Sequence, residues 1–99
     1  MVLIQILLPA PPAAGDASAF VRTREELVEK FGGVTAYTRS VAQGVWVSPS
    51  GEKARDSMLM VEVFTEAFDR PWWRQYQDLL ARRFHQQEIH IRALQADVP

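Results

Sequence analysis

The chain has 99 residues, 47% apolar and 23% charged, with a formal net charge of −1. That is the make-up of one ordinary globular domain over residues 1–99, too short for a second core and able to bury only roughly 60–65% of its unfolded surface. The charge balance offers no basic field to follow a phosphate backbone, which argues against nucleic acid. The absence of cysteine excludes disulfides, thiolate catalysis and thiolate metal sites.

Met1 to Leu8 is apolar and runs into a Pro/Ala-rich stretch, a faint imitation of a signal peptide without its basic leader. No segment approaches the ~20 apolar residues of a membrane helix. The expectation is a cytoplasmic protein that does not enter membranes.

Val2–Leu8 is a short apolar run stopped by Pro9, and its length favours an interior strand over a helix. Gln5 is its single polar member. After a loop, Asp16 and Ser18 are helix-starting residues, and Thr23 with Glu26 offers a capping box at a later start. Phe20, Leu27, Val28 and Phe31 share one helical face, and Gly32-Gly33 suits a left-handed cap at the end. Val34–Arg39 alternates as a strand, Ala42-Gln43-Gly44 reads as a bulge or bend, and Val45–Val47 resumes. Ser48-Pro49-Ser50-Gly51 is a turn signal. Ala54–Phe64 then alternates with apolar residues on both faces, the signature of a central strand, and carries one acid, Glu62. Asp69 can cap a second helix with Pro71 in its first turn, and Trp72, Trp73, Tyr76, Leu79, Leu80 and Phe84 form its apolar stripe. Glu88–Leu94 closes the chain as a strand.

The order β-α-β-β-α-β is a split βαβ pattern, which predicts a ferredoxin-like α+β fold. Right-handed crossovers place both helices on one face of a four-stranded antiparallel sheet of order fourth, first, third, second. Alternation assigns Val2, Ile4, Ile6, Leu8, Val34, Ala36, Leu59, Val61, Val63, Ile89, Ile91 and Ala93 to the covered face. The free face receives Leu3, Gln5, Leu7, Thr35, Tyr37, Arg39, Met58, Met60, Glu62, Glu88, His90 and Arg92. A face this apolar is uncomfortable in water, so a homodimer packed through it is expected, with a polar pocket between the copies.

Phe31-Gly32-Gly33-Val34-Thr35, Gly44-Val45-Trp46, Glu62 in the third strand, and Tyr76 followed by Arg83 to Ile89 carry a resemblance. Over about residues 20–94 the chain resembles small uncharacterised bacterial proteins of the dimeric α/β-barrel superfamily. That superfamily includes cofactor-free monooxygenases and muconolactone isomerase-like enzymes, so the resemblance implies the fold and a dimer, and leaves the activity open. RNA-recognition domains, with aromatics on the first and third strands, and metal chaperones, with Cys-x-x-Cys, are set aside because those residues are absent.

Tyr37, Arg39, Trp46, Glu62 and His90 are the candidate ligand-binding residues. Glu62 and His90 are the candidate catalytic groups, as a partly desolvated base and a proton shuttle. Strand adjacency puts Glu62 near Arg39 and Tyr37 on one side and Gln5 on the other, with His90 beyond Gln5, and the plainer reading of Glu62 is an ion pair with Arg39. Trp46 can stack on a planar ligand or cover a partner subunit. The two histidines lack metal-ligand spacing, and no Gly-rich phosphate loop or nucleophile elbow is present, so neither metal nor cofactor is expected. Three readings follow: a homodimer binding a small planar organic molecule, a cofactor-free monooxygenase or isomerase, and a purely structural interaction module.

Overall fold

The computed structural model describes the backbone of residues 1–10, 17–47 and 53–99, and the side chains of 1–10, 17–37 and 58–99. The elements are β1 (Val2–Pro9), α1 (Ser18–Phe31), β2 (Thr35–Val47), β3 (Lys53–Thr65), α2 (Arg70–Arg83) and β4 (His90–Gln95). They form one sheet in the order β2-β3-β1-β4, antiparallel at every pairing. This is the ferredoxin-like α+β fold, with the two most apolar strands in the centre.

Strict alternation in β1 builds the core. Val2, Ile4, Ile6 and Leu8 are buried while Leu3, Gln5 and Leu7 are half-buried on the other side. Leu59, Val61 and Val63 of β3 join them, together with Phe20 and Leu27 of α1 and Trp73, Tyr76 and Leu80 of α2. Both helices therefore lie on the same face. Phe31, Trp72, Trp73 and Tyr76 pack as a ring cluster, with centroids 4.8 Å apart in the closest pairs, each such contact worth ~0.5–1.5 kcal/mol beyond burial.

The helix ends follow local chemistry. The Asp69 carboxylate accepts the Trp72 N–H at 3.2 Å, and Pro71 sits in the first turn of α2. Gly32 takes φ 83° and donates its N–H to Val28 O at 2.8 Å, a conformation that glycine adopts without a Cβ clash. α2 ends in a Schellman arrangement: Gln86 N–H donates to Ala81 O at 2.8 Å and His85 N–H to Arg82 O at 3.3 Å. His85 holds the left-handed position at φ 55°, where glycine is the usual occupant.

Several sequence expectations are corrected. α1 starts at Ser18 with no side-chain cap, so Thr23 and Glu26 do not form a capping box. Thr23 is instead fully buried, donating to Ala19 O at 2.8 Å, and it takes the place on the core stripe assigned to Val28, which is 44% exposed. The register shift of β2 lies between Tyr37 and Ala42; from Ala42 to Val47 the pairing is regular. The bulge thus precedes Ala42-Gln43-Gly44. β4 begins at His90, leaving Glu88 outside the strand, and Ala93 is exposed because β4 is an edge the helices do not cover. The turn expected at 48–51 lies outside the described residues.

Candidate functional site

Register fixes what meets on the uncovered face. Residues directly opposite one another in a sheet share a side, so the strand pairings define rows across the sheet. One row runs Thr35, Glu62, Gln5, Arg92; the next runs Tyr37, Met60, Leu7, His90; a third, across β3, β1 and β4, is Phe64, Leu3, Leu94. The face is thus a polar row flanked by apolar ones.

Glu62 is the centre of the polar row. Its carboxylate accepts from Gln5 Nε2 at 2.9 Å through one oxygen and from the Tyr37 hydroxyl at 2.7 Å through the other. Tyr37 reaches it diagonally, from beside Met60 on the neighbouring strand. That hydrogen bond, reinforced by the negative charge, raises the Tyr37 phenol above its ordinary value. Deprotonating the phenol would set two anions against each other. Both carboxylate oxygens are therefore held by neutral donors, one from each flanking strand.

The other sequence candidates fall differently. His90 shares the face but stands opposite Leu7, not Gln5. It is two strands from Glu62, roughly 10 Å across the sheet, and no hydrogen bond joins them among the described residues. Arg92 occupies the place beyond Gln5 and is exposed. Sequence reading put Arg92 on this face without making it a candidate, and treated Gln5 as a neighbour when it is a direct ligand of the carboxylate. The signal for Gln5 was available: a single amide in an otherwise apolar strand needs a polar partner. The side chains of Arg39 and Trp46 lie outside the described residues, and with them the expected Glu62–Arg39 pair. His85 is exposed just past α2.

A second polar cluster ties the helices together on the covered side. Arg83 donates to both Glu26 oxygens, at 2.7 and 2.8 Å, and to the Thr23 hydroxyl at 3.0 Å. The Tyr76 hydroxyl donates to Glu26 at 2.9 Å. The guanidinium holds the Glu26 carboxyl below its usual range, while burial, together with the bond to Glu26, pushes the Tyr76 phenol well up.

Among the described residues no group of three His, Cys, Asp or Glu is placed to hold a metal ion, and no helix is long and apolar enough to cross a membrane. No protein-family model matches the chain, and no curated protein does. Solved structures do. A mutant CutA1 from Pyrococcus horikoshii OT3 superposes with a TM-score of 0.63 at 10% identity, over 100% of this chain and 86% of that one. P. horikoshii CutA in guanidine hydrochloride gives 0.62 at 10% identity, over 100% and 87%. A phage SAM lyase in complex with S-methyl-5'-thioadenosine gives 0.60 at 12% identity, over 95% and 80%. At these identities the likeness is one of fold: the chain shares the small ferredoxin-like architecture of CutA1 and SAM lyase.

Proposed function

We propose that this protein is a cytoplasmic homo-oligomer, a dimer in its simplest form, that binds a small planar organic molecule at the free sheet face. The observation that carries the reading is the Gln5–Glu62–Tyr37 network, ordered across three strands on a face that no helix covers. An oriented carboxylate amid Met58, Met60, Leu3 and Leu7 matches the usual make-up of a ligand site, apolar walls with a few placed polar groups. A ligand N–H or O–H would be accepted by Glu62 while its ring lies on the methionines. The SAM lyase of the same fold holds S-methyl-5'-thioadenosine, a molecule with a flat base, which makes that compound a sensible first probe. The sheet rows favour binding over the monooxygenase or isomerase reading, because His90 stands too far from Glu62 for direct proton transfer.

Self-association has separate support. β3 pairs with β1 only as far as Met58, yet β2 and β3 continue together from Ala42 to Val47 and Lys53 to Ser57. A two-stranded ribbon projecting beyond its sheet is marginal alone in water and gains from lying on another copy. The test is sedimentation velocity at micromolar concentration, combined with calorimetric titration of S-methyl-5'-thioadenosine. The expected outcome is an oligomer that binds the probe, with Glu62→Gln weakening it by about tenfold. A single-chain species, or binding indifferent to Glu62→Gln, overturns the proposal.

A further inference from the structure

A cleft of about 960 Å³ opens at one end of the molecule, on the helix side of the sheet and apart from the free face. The end of β1, the first turn of α1 and the end of α2 form its walls. Its apolar lining is Pro9, Phe20, Leu79 and Phe84, and its charged lining is Arg22, Arg82 and Arg83, with His85 at the end of α2. No acid lines it. Arg83 is already neutralised by Glu26. Arg22 and Arg82 are exposed and in no ion pair among the described residues.

Two features make this cation excess informative. Arg82 at the end of α2 complements that helix's negative end, an ordinary placement. Arg22 attracts Glu26, four residues further along α1, but Arg83 already holds both oxygens of that carboxylate, so one acid serves two cations. The chain thus accumulates positive potential at one spot instead of cancelling it. His85 adds an imidazole at a left-handed position, φ 55°, that glycine would occupy with less strain.

From this cleft we infer a second binding site, for a small organic phosphate monoester with an apolar or aromatic body. Two guanidiniums outside any salt bridge among the described residues, on different helices, suit a group of charge about −1.5 to −2 that accepts hydrogen bonds from several sides. A singly charged carboxylate would leave one guanidinium uncompensated. Phe20, Leu79 and Phe84 take the body of the ligand, and the volume lies within the range of small-molecule sites, about 300–1,000 Å³.

Phenyl phosphate is the probe, titrated into the full chain and followed by backbone amide NMR. The expected result is saturable shifts centred on the walls of the cleft, residues 9–10, 17–22 and 79–86, with affinity falling as salt is added. Arg22→Gln and Arg82→Gln should each weaken binding by about tenfold. Arg74→Gln, which removes an exposed charge of α2 outside the cleft, should leave it unchanged. Phenol and inorganic phosphate should each bind at least about tenfold more weakly than the ester. Shifts mapping elsewhere, no binding at millimolar probe, or an equal loss in Arg74→Gln would overturn the assignment. Should either cleft variant fail to fold, the shift map and salt dependence of the unaltered protein decide the matter.

Discussion

At the scale of single residues, Glu62 and Tyr37 form a pair whose electrostatics can be read directly. The phenol is raised from an ordinary 10.0 by the hydrogen bond and charge of Glu62. Removing that charge removes the cause, so in Glu62→Gln the Tyr37 ring titrates near its ordinary value, whereas in the unaltered protein it stays protonated to more alkaline pH. NMR of the Tyr37 ring through an alkaline titration checks this; an unchanged midpoint would mean the two groups do not meet. His85 supports a second prediction. A non-glycine residue at φ 55° carries a Cβ clash of about 1–2 kcal/mol, partly offset in a glycine variant by unfolded-state entropy. His85→Gly should therefore stabilise the fold by about 0.5–1 kcal/mol, measurable as a higher urea midpoint with unchanged slope. What the sequence disclosed of the site was its face: Tyr37, Glu62 and His90 all lie on it. Their mutual distances depend on strand register, which alternation alone does not set, and so Arg92 stands where His90 was expected.

At the scale of elements, the two helices communicate through Arg83. It sits 57 residues from Glu26, and with Thr23 and Tyr76 it forms the polar tie between α1 and α2. Arg83→Met should cost about 1–2 kcal/mol in urea unfolding, a figure kept low because the Glu26 side chain is 40% exposed and solvent screens the pair. The pH dependence has a definite sign. Glu26 is depressed below 4.5 in the folded chain, so its stabilisation is full above about pH 4.5 and is lost as pH falls through the folded value. In Arg83→Met that acid loss should be smaller; an identical acid limb would count against the tie. Element order, sheet order and the Asp69 cap were legible because each is a local signal: alternation, a crossover rule, a capping residue before a proline. The Thr23–Glu26 spacing was legible too, but its meaning was not. It serves an arginine from another helix, a long-range partner that no local pattern discloses. The same limit applies to the β2 bulge, whose position is set by pairing with β3.

At the scale of the whole molecule, the chain is expanded for its mass. It exposes 7073 Å², where a compact monomer of 11.3 kDa exposes about 5,700 Å². Its radius of gyration is 14.2 Å against about 12.6 Å expected for this length. The excess has two visible sources: the ribbon of β2 and β3 beyond Met58, and a sheet face on which Phe64 is 50%, Leu94 44% and Tyr37 42% exposed. Apolar surface of this kind is stabilised by association in proportion to the area it removes from water, and a folded state coupled to assembly gains stability with protein concentration. The unaltered protein should therefore show a Tm that rises as it is concentrated. Phe64→Asp places a charge at the β3 end of the apolar row while sparing the core, since Phe64 is half exposed on the free face and lies outside the core cluster. The variant should remain folded by circular dichroism, sediment as a single chain, and melt at a temperature independent of concentration. A wild-type Tm that ignores concentration, or a Phe64→Asp variant that still assembles, would show that the exposed face is not where the copies meet.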